Sequence, residues 1–94
     1  MRFADKVKVN ELVKKGALLV DMRSPVDFRD GSITGSVNLP LRNFTNKLMA
    51  LKKEQKIVII TKAVSDGDVK SACGYADQLG FSNVFVTEYK QLLD

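Results

Sequence analysis

The chain has 94 residues, of which 45% are hydrophobic and 28% charged, enough apolar material for one small core and too much for a disordered segment. One cysteine and no histidine exclude an internal disulfide framework, the common zinc-ligand sets and any catalytic triad that uses histidine as general base. Fifteen Lys and Arg against eleven Asp and Glu leave a net charge of +4, but Lys14, Lys15, Lys52, Lys53 and Lys56 are scattered, with no interleaved aromatics or nucleic-acid motif. They read as solvated surface rather than as an RNA or DNA face.

The opening segment "MRFADKVKVN" has no apolar signal-peptide core, and no run approaches the ~18 apolar residues of a membrane span. A single cytoplasmic domain over residues 1–94, with no membrane contact, is therefore expected.

In "VNELVKKGALLVDM", Asn10 is positioned to cap a short helix, with Leu12 and Val13 facing inward and Gly16 ending it. "ALLVD" at 17–21 then reads as a strand apolar on both faces, which suits a parallel sheet covered on both sides. Ser24 as N-cap and Pro25 at the first helical position open a second short helix, closed by Gly31. A turn at Gly35 leads into a brief strand, Val37 to Leu39, stopped by Pro40. The next segment places Leu41, Phe44, Leu48 and Leu51 on one helical face with charges opposite.

"IVII" at 57–60 is the most hydrophobic strand and is expected at the centre of the sheet. A loop, "TKAVSDGD", a helix from about Val69 to Leu79 closed by Gly80, a strand "NVFVT" and a partial helix "EYKQLLD" complete the chain. Helices and strands alternate throughout. This order predicts an α/β fold, a small open parallel sheet of four to five strands with helices on both faces. Ligands of such sheets bind at the carboxyl ends of the strands, here the loops after Asp21, Leu39, Thr61 and Thr87.

The segment "LLVDMRSPVDFRDGSITGSVNLPL" resembles the rhodanese domain. Asp21, Arg23, Phe28, Gly31, Ile33, Gly35, Asn38 and Pro40 stand where that family's Asp-x-Arg and Gly-His-Ile-Pro-Gly-Ala-x-Asn-x-Pro pattern has them, with Ser32 and Thr34 replacing its His and Pro. "LGFSNVFV" at 79–86 is similar to the run before the family's last strand. The resemblance implies the rhodanese fold across nearly the whole chain. Asp21 and Arg23 are expected to pair and hold adjacent loops together, with direct ligand contact as the other role open to them.

Active rhodaneses carry a nucleophilic cysteine just after the central strand, in a loop whose amides surround the sulfur and lower its pKa. The alignment puts Thr61 at that position. A threonine hydroxyl with no histidine to deprotonate it is a poor nucleophile and forms no persulfide. The substrate loop, Thr61, Lys62, Ala63, Val64, Ser65, Asp66, Gly67 and Asp68, carries two carboxylates that would repel an anion. It also runs slightly longer than the family's loop. Asp66 or Asp68 is expected to act as N-cap and first-turn acid of the next helix; "DGD" falls short of a calcium-loop pattern, and no metal site or cofactor is expected. "TEYKQLLD" lacks the Gly-Gly that often follows the family's last-strand Glu, so Tyr89 and Lys90 are expected near the pocket.

Cys73 shares helical spacing with Val69, Ala72, Ala76 and Leu79, which places it on the buried face as a small core residue. The expected function is a rhodanese-like domain inactive as a sulfurtransferase, which binds an unidentified protein or a small anion. The alternative is an active thiosulfate or persulfide sulfurtransferase that uses Cys73.

Overall fold

The computed structural model describes residues 1–93. The first helix, α1 (Lys6–Lys14), opens at Asp5, whose carboxylate accepts the Lys8 N–H at 2.8 Å and satisfies one of the donors that a helix N-terminus leaves open. Asn10 therefore lies inside α1 and is not its cap. The earlier start also resets the buried stripe to Val9 and Leu12. Val13, expected inward, is exposed, since it sits about 100° around the helix from Leu12.

Strand β1 (Leu18–Asp21) is followed by α2 (Pro25–Asp30), which starts as expected, with Ser24 Oγ accepting the Asp27 N–H at 3.1 Å. Next come β2 (Val37–Asn38), α3 (Leu41–Leu48), β3 (Ile57–Thr61), α4 (Gly67–Gln78) and β4 (Val84–Glu88), and then a 3-10 turn, Tyr89–Leu92. Leu51 lies beyond the end of α3 but still packs on the core. Helix α4 begins two residues before Val69 because Asp66 caps it, its carboxylate accepting the Asp68 N–H at 2.8 Å. Gly80, at φ +92°, turns the chain out of the helix in a backbone region where a side chain is strained.

The four strands are all parallel, in the order β2–β1–β3–β4. The outer edge of β4 is covered by residues 2–4, with Ala4 N–H donating to Val86 O and Val86 N–H to Arg2 O. That bridge is the only trace of a fifth strand among the described residues, and it closes an edge that would otherwise be open to pairing.

Alternation along each strand divides the core into two layers. Val20, Ile57, Ile59 and Val86 pack against Phe44 and Leu48 of α3 and against Val69, Ala72 and Ala76 of α4. Leu19, Val58, Ile60 and Phe85 pack against Val9 and Leu12 of α1 and against Leu92 of the 3-10 turn. Every residue of β3 is buried, which explains its unbroken apolar sequence. With each of Ile57, Val58, Ile59 and Ile60 fully buried, at about 1.5–3 kcal/mol per side chain, β3 is the strand the fold can least lose. Among the described residues no helix is long and apolar enough to cross a membrane.

Candidate functional site

The strand order reverses between β1 and β3, so the crevice at the carboxyl ends of these strands is where a ligand of an open α/β sheet is expected. Two groups of polar residues lie there, and strand alternation sends them to opposite faces. Asp21 has the parity of Leu19 and points toward the α1 layer. Thr61 has the parity of Ile57 and Ile59, and its register partner Glu88 has that of Val86; both point toward the α3–α4 layer.

On the first face Asp21 is fully buried and Arg23 nearly so. Arg23 Nε donates to both Asp21 carboxylate oxygens at 3.1 Å and Nη2 donates to Oδ2 at 2.9 Å, while the Arg23 backbone N–H donates to Oδ1. Nη2 also donates to Gly31 O at 2.6 Å, and the Tyr89 ring covers the guanidinium at 3.6 Å. Asn38 Nδ2 donates to the carbonyls of both Asp21 and Arg23, at 2.9 Å each. The hydrogen bonds to Asp21 push the Arg23 pKa up, against an opposing effect of burial, so the guanidinium is permanently charged. Four segments distant in sequence meet here, the ends of β1 and α2, strand β2 and the 3-10 turn. A Cβ at Gly31 would stand 3.1 Å from the Tyr89 hydroxyl, so a side chain there would push the Tyr89 ring by a few tenths of an ångström.

On the other face, Thr61 ends β3 with only 3% of its surface exposed. Its hydroxyl donates to Ala63 O at 3.1 Å, and that carbonyl also accepts the Asp66 N–H. The Val64 N–H donates to Glu88 Oε2 at 3.1 Å, and the Val64 side chain packs on the α3–α4 core. Lys90 pairs with Glu88, its ammonium 3.7 Å from Oε1. Lys62, Ala63, Ser65, Asp66, Gly67 and Asp68 are exposed. Asp66 is the N-cap and Asp68 the first-turn acid of α4. Among the described residues no three His, Cys, Asp or Glu side chains gather where they could hold a metal ion.

Glu88 was not legible in the sequence, and Tyr89 was legible only as a neighbour of the pocket. Glu88 meets the loop only because the β3–β4 register places it beside Thr61 on the same face. Tyr89, expected near the pocket, instead covers Arg23 on the opposite face. The usable signal was parity along β4, once its register with β3 is known.

Cys73 departs from its expected placement. Ala72 and Ala76 hold the centre of the buried face of α4, and Cys73, about 100° further round, is half-buried at its margin. It packs on the core and also lines an open cleft of about 510 Å³ with Arg2, Lys70, Asp77, Phe81 and Ser82. Burial pushes its thiol pKa up, against a smaller opposing pull from the N-terminal ammonium. Ser82 and Val84 put this cleft at the amino end of β4, whereas the loop meets Glu88 at the carboxyl end.

The fold has known counterparts. The chain is 30% identical over 78 residues to the thiosulfate sulfurtransferase GlpE of Pseudomonas aeruginosa, a match that covers 83% of this chain and 69% of that protein. A stretch of 32 residues, 34% of the chain, is 47% identical to the tRNA 2-selenouridine synthase of Cronobacter sakazakii but spans only 8% of that protein. In structure, the chain superposes on a human single-domain sulfurtransferase with a TM-score of 0.76 at 20% identity, covering 97% of this chain and 94% of that one. A rhodanese-related protein of Thermoplasma volcanium gives 0.72 at 25% identity, over 95% and 85% of the two chains. Residues 5–89 match the rhodanese-like domain family, and the chain belongs to that family.

Proposed function

We propose that this chain, as one rhodanese-like domain, does not transfer sulfur and acts as a binding or regulatory module. One observation carries the reading: the mouth of the β3–α4 loop holds the buried hydroxyl of Thr61, bonded to Ala63 O, where sulfur transfer needs an exposed thiolate. The loop amide of Val64 is occupied by the chain's own carboxylate, Glu88. A loop filled in this way favours a protein partner over a freely entering small anion. Asp66 and Asp68 add negative charge to its exposed rim, which opposes thiosulfate further.

The alternative, a persulfide on Cys73, has in its favour the open cleft beside that thiol, with Arg2 and Lys70 on its wall. Against it, burial holds the thiol protonated, and the thiol is the poorer nucleophile.

Purified protein incubated with thiosulfate and then cyanide is expected to release no thiocyanate above a protein-free control, and intact-mass spectrometry is expected to find no added sulfur. Turnover that Cys73→Ser abolishes would establish the alternative and end the proposal.

A further inference from the structure

Helix α4 carries three residues that its own chain does not favour where they stand. Lys70 lies in the first turn of Gly67–Gln78 and Asp77 in the last, the reverse of the arrangement that the helix dipole stabilises. Neither takes part in an ion pair among the described residues. Gly74 sits in the helix interior, where glycine is worse than alanine, yet its φ is not positive and a Cβ there would meet nothing within 4 Å. The fold of the single chain accounts for none of the three.

All three are exposed, and spacings of four and three residues put them on one side of the helix. With Cys73 they form a wall of the cleft at the amino end of β4. Lys70 and Asp77 stand about 5 Å along the axis on either side of a point between Cys73 and Gly74. A two-fold axis through that point brings up an identical helix antiparallel, with each Lys70 opposite the partner's Asp77, so that both ion pairs form at once. The missing Cβ of Gly74 lets the two backbones approach at the crossing. A parallel copy would set like charge against like. The surface beside the stripe is apolar. Phe81, Val84 and Met1 line the cleft, with Met1 53% exposed. Phe3, 63% exposed, lies on the same side of the sheet, because its neighbour Ala4 turns into the α1 layer.

We propose that this face of α4 is the interface of a symmetric homodimer, and that its occupant is a second copy of this chain. The charge pattern selects that occupant. A two-fold interface needs a patch complementary to itself, and Lys70, Gly74 and Asp77 make one. The inference goes beyond the proposed binding role and does not depend on whether the domain transfers sulfur.

Sedimentation equilibrium of the purified chain is the test. Wild type is expected to show a monomer–dimer equilibrium with a dissociation constant below about 1 mM. Lys70→Glu and Asp77→Lys each set like charges against each other across the two-fold axis, and each is expected to weaken association about tenfold or more. An equimolar mixture of the two variants, and the double variant Lys70→Glu/Asp77→Lys, restore opposite charges at both contacts and are expected to recover the dimer. Gly74→Leu holds the backbones apart and is expected to weaken the dimer, while urea denaturation of dilute protein finds a monomer at least as stable as wild type; it reads the same interface if a charge reversal does not fold. A wild type that stays monomeric to about 1 mM, single reversals or Gly74→Leu that associate as wild type does, or reversals that the mixture does not rescue would each overturn the dimer. The thiocyanate and intact-mass measurements read sulfur transfer separately.

Discussion

The two polar groups at the carboxyl end of the sheet differ in how they are held. The Asp21–Arg23 group is buried, and its contacts reach Gly31, Asn38 and Tyr89, so that segments far apart in sequence depend on it. The β3–α4 loop is mostly exposed and is held by bonds between near neighbours, with the Val64–Glu88 bond as its one long-range hydrogen bond among the described residues. The first group fixes the geometry of the crevice. The second, as the proposed binding loop, would decide what the crevice presents. On the proposed reading, scaffold and binding loop therefore occupy separate residues on opposite faces of one sheet.

The sharpest way to break this contrast is to cut the buried pair. Arg23→Met would leave a fully buried carboxylate at Asp21 without its cation and three of its four hydrogen bonds. Removing one partner of a buried ion pair costs about 3–5 kcal/mol, a large part of the ~5–15 kcal/mol that holds a domain together. Urea denaturation is expected to show a midpoint far below wild type at similar slope. A loss under about 1 kcal/mol, the range of surface pairs, would mean that the two groups do not differ as described.

The loop offers the smaller counterpart. Asp66→Ala removes the cap of α4 and one hydrogen bond at 2.8 Å, and is expected to cost about 1 kcal/mol in the same measurement. Asp66→Asn keeps an acceptor and is expected to restore most of it. If Asp66→Ala cost as much as Arg23→Met, the loop would be part of the scaffold rather than separate from it.

Much of this is legible in the sequence alone. The family motif, Ser24 and Pro25 opening α2, the buried run of β3 and the capping role of Asp66 all rest on local signals, namely side-chain capping chemistry, fixed proline geometry and apolar periodicity. What failed was local as well but ambiguous: Asp5 and Asn10 are both good caps, and only the packing of Val9 and Leu12 on Leu19 and Val58 decides between them. Glu88 was hidden for a different reason. Its partner lies 24 residues away, and no local pattern reports a strand register. Cys73 was misplaced by a margin narrower than helical spacing resolves, because a position adjacent to the apolar stripe can face either the core or a cleft.

Cys73 gives the smallest effect and a further means of separating scaffold from chemistry. Its thiol pKa is raised mainly by burial, so the neutral thiol is favoured in the folded chain and the thiolate in the unfolded one. As pH climbs through the ordinary thiol range, the unfolded state loses its proton first. Any stability contributed by the neutral thiol is thus complete below that range and declines as pH rises toward the folded value. The same shift governs reactivity, because only the thiolate attacks. Alkylation of the native protein by iodoacetamide at neutral pH is expected to be slower than that of free cysteine, and its rate should rise to higher pH before levelling. Denaturant should remove the difference. A native rate at neutral pH equal to or above that of free cysteine would show an activated thiolate in the cleft, and sulfur chemistry would then have a place in the molecule at the end of β4 opposite Thr61.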